Sequence, residues 1–312
     1  MISLDIVIVN WNAGPQLAQC LGSIAAADRS SFQLQRVVVV DNASSDGSAD
    51  HGSFPQLPLV LLRNRENLGF AQASNQGAEG TRADYLLFLN PDTVLFPDSL
   101  SIPLRFMEQP GNGHIGIAGV RMVNEKGEAA RTCSRLPSPG SFVAKSLGLD
   151  RILPQYFRPQ QMVEWDHASS RQVGQVIGAF FLVRSTLFRN LGGFDERFFV
   201  YFEEVDLSLR AQILGANSYF IAETCIFHKG GGTSTQVKAK RLFYDLRSRI
   251  LYARKHFGKA AAAIVLVLTL FIEPFPRLVL AFAHRSASEI RETVAGYGML
   301  LSCLLSRSWR RA

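Results

Sequence analysis

Cysteine is scarce in this 312-residue chain: Cys20, Cys133, Cys225 and Cys303 stand alone, none in a CxxC pair and none beside a histidine. That spacing excludes a disulfide framework and a cysteine-based zinc site, and it points to a reducing compartment. No basic stretch precedes the first apolar run, ISLDIVIVNWN, and no small-residue cleavage site follows it. The N-terminus therefore reads as a first strand rather than a signal peptide, which keeps the domain it opens in the cytosol. After that strand the chain runs Asn10-Trp11-Asn12-Ala13-Gly14, with no GxGxxG turn, so a dinucleotide-binding oxidoreductase is excluded. Tandem repeats are missing, and the apolar stretch Ala260 to Ile272, thirteen residues, falls short of the roughly 20 needed to cross a bilayer.

What is present supports a large folded core, since 47% of the residues are hydrophobic. A net charge of +7 suits anionic partners: nucleic acid, phospholipid headgroups or sugar-nucleotide phosphates. The basic residues gather in the last third of the chain, near apolar stretches and away from any RNA-binding motif, so nucleic acid is the poorest fit. In the first half, short β-branched runs alternate with helical patterns, the mark of βαβ units around a largely parallel sheet. Strands are predicted at Ile6 to Val9, Arg36 to Val40, Leu59 to Leu62 and Tyr85 to Leu89. Leu17, Cys20, Leu21, Ile24 and Ala25 recur at helical spacing between the first two, and a second helix is predicted over Phe70 to Ala78. Further strands are expected at Ile115 to Val123, Gln175 to Val183 and Ser218 to Phe227, with a helix from Glu203 to Leu214. Arg131 to Arg171, with its prolines and weak periodicity, reads as a long, partly irregular insertion.

Lys238 to His256 is a basic amphipathic helix, after which the composition changes. Ala260 to Ile272 is thirteen residues without a charge; Glu-Pro-Phe-Pro-Arg interrupts it before Leu278 to Ala283. The two prolines and two charges suggest a broken hairpin or a helix lying in a membrane interface, with helices packed on the core as the other reading. Val294 to Leu305 is a second apolar stretch, closed by Arg307, Arg310 and Arg311, and basic flanks of this kind favour an anionic cytoplasmic leaflet.

Four polar constellations carry chemistry. Asp41 ends a strand at the carboxyl edge of the sheet, where open α/β proteins bind ligands, and it can accept the imide N–H of uracil or thymine. Ser44 to Ser48 behind it are ordinary turn formers. Asn90-Pro91-Asp92 follows the apolar strand YLLFL, an arrangement suited to Mg²⁺ or Mn²⁺, which takes one or two protein oxygens and shares the rest with a diphosphate. A strand-end Asx-Pro turn is the structural alternative. Glu203, Glu204 and Asp206 open a helix behind the aromatic run Phe198 to Phe202. Dipole and capping effects account for acidic residues there, above all Asp206, yet a carboxylate pair beside aromatics also has the desolvation a general base needs. His228 stands at a strand end before a glycine run.

In this order and spacing the elements resemble the family 2 glycosyltransferases with the GT-A fold, most closely the rhamnosyltransferase-like branch. The resemblance is carried by VIVNWN (Val7 to Asn12), VVDNASSDGS (Val39 to Ser48), RENLGFAQASNQG (Arg65 to Gly77), LLFLNPDT (Leu86 to Thr93), GGFDERFFVYFEEVDLSLR (Gly192 to Arg210) and FHKGGGT (Phe227 to Thr233), across residues 3 to 235. It implies an α/β mixed sheet flanked by helices in residues 1–235, while composition makes 236–312 a helical membrane-associating tail. It also implies that Asn10 and Asn12 border the nucleotide, that Asp41 contacts the base, and that Asn67, Phe70, Asn75 and Asn90 are donor-site positions. Asp92 and His228 would hold the divalent cation. Asn90 stands where many relatives have Asp, bringing an amide oxygen without charge. Glu203-Glu204 matches the family's Glu-Asp pair, whose second member is the base; here that is Glu204, one methylene longer, and either glutamate is a candidate to reach the acceptor. The activity implied is inverting transfer of a sugar from a nucleotide-sugar donor to a lipid-linked or cell-surface glycan, by a protein peripheral on the cytoplasmic face of the inner membrane. dTDP-L-rhamnose is the donor the branch points to, with UDP-hexose or galactofuranose donors open. A catalytically inactive, sugar-nucleotide-binding membrane scaffold is the competing class, since Asn90 and Glu204 both depart from the commonest residues. A processive polymerase is disfavoured because no QxxRW-type motif occurs.

Overall fold

The computed structural model describes residues 1–50, 54–230 and 238–306. In chain order the elements are β1 (Ile2–Asn10), α1 (Gln16–Ala26), β2 (Phe32–Asp41), β3 (Leu59–Arg63), α2 (Phe70–Ala78), β4 (Tyr85–Leu89), β5 (Thr93–Leu95), α3 (Ser101–Met107) and β6 (Ile115–Val123). There follow β7 (Cys133–Ser134), α4 (Pro139–Ser146), α5 (Leu149–Ile152), β8 (Arg171–Val173), β9 (Gln175–Val176), β10 (Phe180–Arg184), α6 (Ser185–Asn190), α7 (Glu203–Ile213), β11 (Asn217–His228) and α8 (Lys238–His256). A long helix, Lys259–Ala283, and a last one, Ala287–Leu305, complete the described chain.

The chain divides into two compact units. The first takes residues 1–136 and 161–196 and the described part of 203–233; the second takes 137–160, 197–202 and the residues from 238 on. The boundary expected near residue 235 falls outside the described residues, and the second unit also draws in two segments from earlier in the chain.

The first unit is a mixed α/β sheet with strand order β3-β2-β1-β4-β10-β6-β11-β5, with β8 added alongside β11. β1, β2, β3 and β4 are parallel, as strands linked through helices must be, while β10 runs antiparallel between β4 and β6. Period-two alternation sorts the side chains onto two faces. Ile6, Ile8, Val37, Val39, Leu87 and Leu182 pack under α1 and α3, which contribute Leu17, Cys20, Leu21, Leu104 and Met107. Val7, Leu86, Phe88 and Phe181 face the other way, toward Ala71 and Ala78 of α2 and Leu207 and Ala211 of α7. β4, YLLFL, is buried along its whole length because both faces are covered. Gly77 allows the close approach of α2, since a Cβ there would lie 2.4 Å from Val7 Cγ1.

One sequence expectation needs correction in this unit. Gln175 to Val183 is not one strand: β9 pairs with β7 in a separate two-stranded ribbon, and the chain re-enters the main sheet only at Phe180. The peptide between them is used, for Ala179 O accepts the Asn90 N–H at 3.0 Å. The span 131–171, expected to be partly irregular, contributes two short helices, α4 and α5, to the second unit. Ser138 caps α4 through a capping box with Ser141, and Pro139 sits at the first helical position, where its missing N–H does no harm.

In the second unit, α8 is the organising helix. Its Arg249, 1% exposed, donates to Glu273 at 2.5 Å and Asp245 at 3.1 Å, and Glu273 also receives Arg277 at 2.8 Å. The charges that looked like an interruption of the apolar run are thus an internal ion-pair network. The run itself is a single helix of 25 residues, not a broken hairpin. A π-type turn over Leu268–Ile272, in which the Glu273 N–H donates to Leu268 O at 3.0 Å, leads into Pro274 at the first position of the next turn. Ala262, Val265, Thr269, Glu273 and Ala281 line its buried face. The opposite face is a continuous stripe at three- and four-residue spacing, Ile264, Val267, Phe271, Phe275, Val279 and Phe282, each more than half exposed.

Candidate active site

The carboxyl ends of β1, β2 and β4 lie along one edge of the sheet, and the polar motifs follow from them. Asn10 and Asp41 are register partners at the ends of β1 and β2. The Asn10 Nδ2 donates to Asp41 Oδ1 at 3.0 Å and to the hydroxyls of Ser44 and Ser48 at 3.1 and 2.8 Å. The Asn10 Oδ1 is buried and has no protein partner. Asn12 lies beside the same loop, accepting the Ser45 N–H at 2.8 Å. Asn12 and Ala43 both hold left-handed backbone, with φ of 52° and 62°. Such residues store about 1–3 kcal/mol each and tend to mark working loops.

Asn67 stands in the turn tied to Asn42 behind this edge, while Phe70 and Asn75 lie on α2 and pack against Phe194. The Asn67 Oδ1 accepts from Asn42 at 2.8 Å and from the Gly69 N–H at 2.9 Å, which fixes the turn into α2. Phe70 packs on Phe194, ring centroids 6.2 Å apart, within a cluster that includes Phe88, Phe181 and Phe188. Asn75 clamps the backbone of Phe194 with both ends of its amide, each bond 2.9 Å. Asn42 is a member that sequence reasoning passed over. It is 2% exposed and uses its whole amide, donating to Asn67 and Gly69 O and accepting from Asn64 and the Leu68 N–H. The one signal available was its place directly after a strand-end aspartate.

Asp92 and His228 meet because β5 pairs antiparallel with β11, setting His228 opposite Thr93. Asp92 Oδ1 lies 3.3 Å from His228 Nε2, with both side chains mostly buried but reachable. Asn90 is held through its backbone, between Ala179 O and the Thr93 hydroxyl. Among the described residues no three histidine, cysteine or carboxylate side chains cluster, so this pair offers a cation at most two ligands and leaves the rest to phosphate and water. That division suits Mg²⁺ or Mn²⁺.

Glu203 and Glu204 open α7, which packs on β9 and β11. Tyr201 and Phe202, directly before them, both have positive φ, 68° and 72°. Burial pushes the Glu203 carboxyl far up, and the charge of Glu204 adds to the effect. Burial likewise raises Glu204, to about 6. An enclosed Oε2 on each has no protein partner. Asp206 plays a different part: fully buried, it accepts from Arg210 at 2.7 Å, and Arg210 also holds Leu191 O and Gly193 O at 2.7 and 2.8 Å. Asn75 and Arg210 therefore grip the Gly192-Gly193-Phe194 turn from two sides. The aromatics before Glu203 serve packing in the second unit, Phe199 stacking on Tyr244 at 4.6 Å and Phe202 lying near Tyr252 and Phe142. A shallow cleft of about 580 Å³ beside α2, lined by Gln72, Asn75, Gln76, Arg189 and Glu196 among others, includes none of Asp41, Asp92, His228 and Glu204.

Known proteins resemble this chain in sequence and in fold. The family model for glycosyl transferase family 2 matches residues 5–192. The N-acetylglucosaminyl-diphospho-decaprenol L-rhamnosyltransferase of Mycobacterium tuberculosis is 26% identical over 276 residues, 82% of this chain and 85% of that one. Rhamnosyltransferase WbbL of Escherichia coli K12 is 25% identical over 178 residues, 55% of this chain and 62% of that one. Among solved structures, mannosyltransferase PcManGT from Pyrobaculum calidifontis, in complex with GDP-Man and Mn²⁺, superposes with a TM-score of 0.54 at 16% identity, covering 99% of this chain and 82% of that one. The central sheet flanked by helices is thus the GT-A arrangement.

Proposed function

The chain belongs to glycosyl transferase family 2, and from that membership we propose an inverting, cation-assisted transferase that moves L-rhamnose from dTDP-L-rhamnose to a lipid-linked glycan acceptor. The observation that supports this most is the meeting of Asp92 and His228, 3.3 Å apart, on the sheet edge that also carries the Asn10–Asp41 pair. Asp41 and Asn10 receive the base, Asn10 with an acceptor oxygen still unspent. Asp92 and His228 hold the divalent cation, which when bound neutralises charge on the departing diphosphate. Glu204, raised to about 6 and so ionised at neutral pH, takes the proton of the acceptor hydroxyl as that oxygen attacks the anomeric carbon. Glu203 lies beside it in the first turn of α7, its carboxyl also pushed up by burial and by the charge of Glu204. One displacement inverts the configuration. The donor and acceptor follow the rhamnosyltransferase relatives, one of them named for a diphospho-decaprenol-linked substrate.

The same reading seats the protein on the cytoplasmic face of the inner membrane. The helix Lys259–Ala283 is apolar and, at about 1.5 Å per residue, long enough to cross a bilayer. Its buried face, however, is tied through Glu273 to Arg249 of α8, a helix rich in lysine and arginine. Crossing would carry those charges into hydrocarbon, so the exposed stripe lies in the interface plane instead.

A panel of nucleotide sugars, tested for protection of the full-length protein against thermal unfolding with and without Mn²⁺, checks the donor. A ligand at about 100 times its dissociation constant stabilises by about 2.7 kcal/mol. The reading expects dTDP-L-rhamnose to protect, more strongly with the cation, and the product's anomeric proton to show inverted configuration. Protection by a UDP-hexose alone replaces the donor; retention of configuration, or no protection by any nucleotide sugar, refutes the proposal.

A further inference from the structure

The second unit exposes large apolar side chains on its last helix, Val294, Leu301 and Leu305, and in two further places. One is the stripe on Lys259–Ala283. The other is more than a hundred residues earlier in the chain: Leu147, Ile152, Leu153, Tyr156 and Phe157, with Ile152 72% and Tyr156 77% exposed. Exposed Arg151 and Arg158 stand among them and at their end. This segment is anchored where the membrane helix is anchored. Phe142 of α4 is buried against Tyr252, Phe257 and the Arg249 guanidinium, α4 packs on Lys259–Val267 and the π-type turn, and α5 packs on α4.

We propose that Leu147–Arg158 is a second membrane-contact element, seated on the anionic bilayer that receives the stripe; the inference rests on the membrane reading above. Isoleucine, leucine and phenylalanine supply area for the acyl boundary, tyrosine suits the headgroup level, and the two arginines meet lipid phosphate. Charge complementarity selects the occupant. Residues 238–306 of the same unit hold eleven lysines and arginines against four acidic residues, a net +7 equal to that of the whole chain. One helix lying in an interface leaves rotation about its own axis free, whereas a second contact off that axis fixes how the unit is presented to a lipid-linked acceptor.

The test uses full-length protein and phosphatidylglycerol-containing vesicles in flotation and titration. The double variant Ile152→Glu/Tyr156→Glu is expected to bind at least ~10-fold more weakly, since burying one such side chain is worth at least that factor. Its melting temperature should be unchanged, because both side chains are exposed. Tyr156→Trp, measured against the wild-type background of three tryptophans, should gain emission that brominated lipid quenches. If the wild type binds vesicles, the double variant binds equally well and the added tryptophan is not quenched, the segment faces water or a protein partner and the inference falls while the membrane reading stands. If the wild type does not bind at all, both fall.

Discussion

Replacing Glu204 by glutamine should make the protein more stable and nearly inactive at once. Burial moves the Glu204 carboxyl from its ordinary 4.5 to about 6. A carboxyl that holds its proton more tightly in the folded state contributes full stability only below about pH 4.5, and that contribution is lost as pH rises through 6. At 1.36 kcal/mol per pH unit, keeping Glu204 ionised in the fold at pH 8 costs about 2 kcal/mol. Glutamine keeps the shape and has no charge to desolvate, so Glu204→Gln should be about 2 kcal/mol more stable than wild type at pH 8. The advantage should shrink toward zero at pH 4.5. Urea unfolding followed by circular dichroism at the two pH values reads this directly. Turnover of the same variant should fall by ~10²–10⁴, the usual contribution of a general base, with donor protection retained. Wild-type turnover should rise with pH through about 6 as Glu204 ionises. A variant that is less stable than wild type at pH 8, or whose stability difference does not change with pH, would refute the argument that this carboxylate is held under strain. Normal turnover in Glu204→Gln with loss in Glu203→Gln would exchange the two roles.

Asp92→Asn should abolish cation-dependent donor protection and Asn90→Ala should weaken it less, because only Asp92 brings charge; equal loss of fold stability with donor affinity intact would mark a turn-forming role instead. His228→Ala should resemble Asp92→Asn in kind, read in the same Mn²⁺ titration. Glu273→Ala leaves the buried Arg249 without its closest partner and should cost about 3–5 kcal/mol in urea unfolding, whereas an exposed pair would lose less than about 1. Phe271→Ser/Phe275→Ser should release the protein from vesicles without lowering its melting temperature, since both rings point outward.

The parallel half of the sheet was legible because fully covered strands have few alternatives: YLLFL and VVVV are apolar throughout, and both are buried. Where the chain changes partner inside an apolar run, the pattern says nothing. Gln175 to Val183 reads as one strand, yet the break at Ile177–Ala179 is set by which strand lies alongside. The broken-hairpin reading of Lys259–Ala283 fails for the opposite reason. Glu273 and Arg277 look like obstacles until Arg249, 24 residues earlier, is seen to meet Glu273, and the π-type turn takes up Pro274. At the site, sequence order named the carboxylates, but not their bonds. Spacing does not encode that Asn75 spends its amide on Phe194, or that Asn42 ties two loops together.

These bonds separate groups that build the site from groups left over to act in it. Asn42 and Asn75 are satisfied by protein at both ends of their amides, and Asp206 is held by Arg210. Asn10, Glu203 and Glu204 each keep a buried oxygen with no protein partner, a deficit of about 1–3 kcal/mol apiece. Positive φ at Asn12, Ala43, Tyr201 and Phe202 adds strain in the same motifs. The aromatic cluster around Phe194 and the grip of Asn75 and Arg210 on its turn offset the strain nearby. In the proposed function, a ligand that donates to Asn10 Oδ1 and an acceptor hydroxyl that donates to Glu204 would remove these deficits on binding.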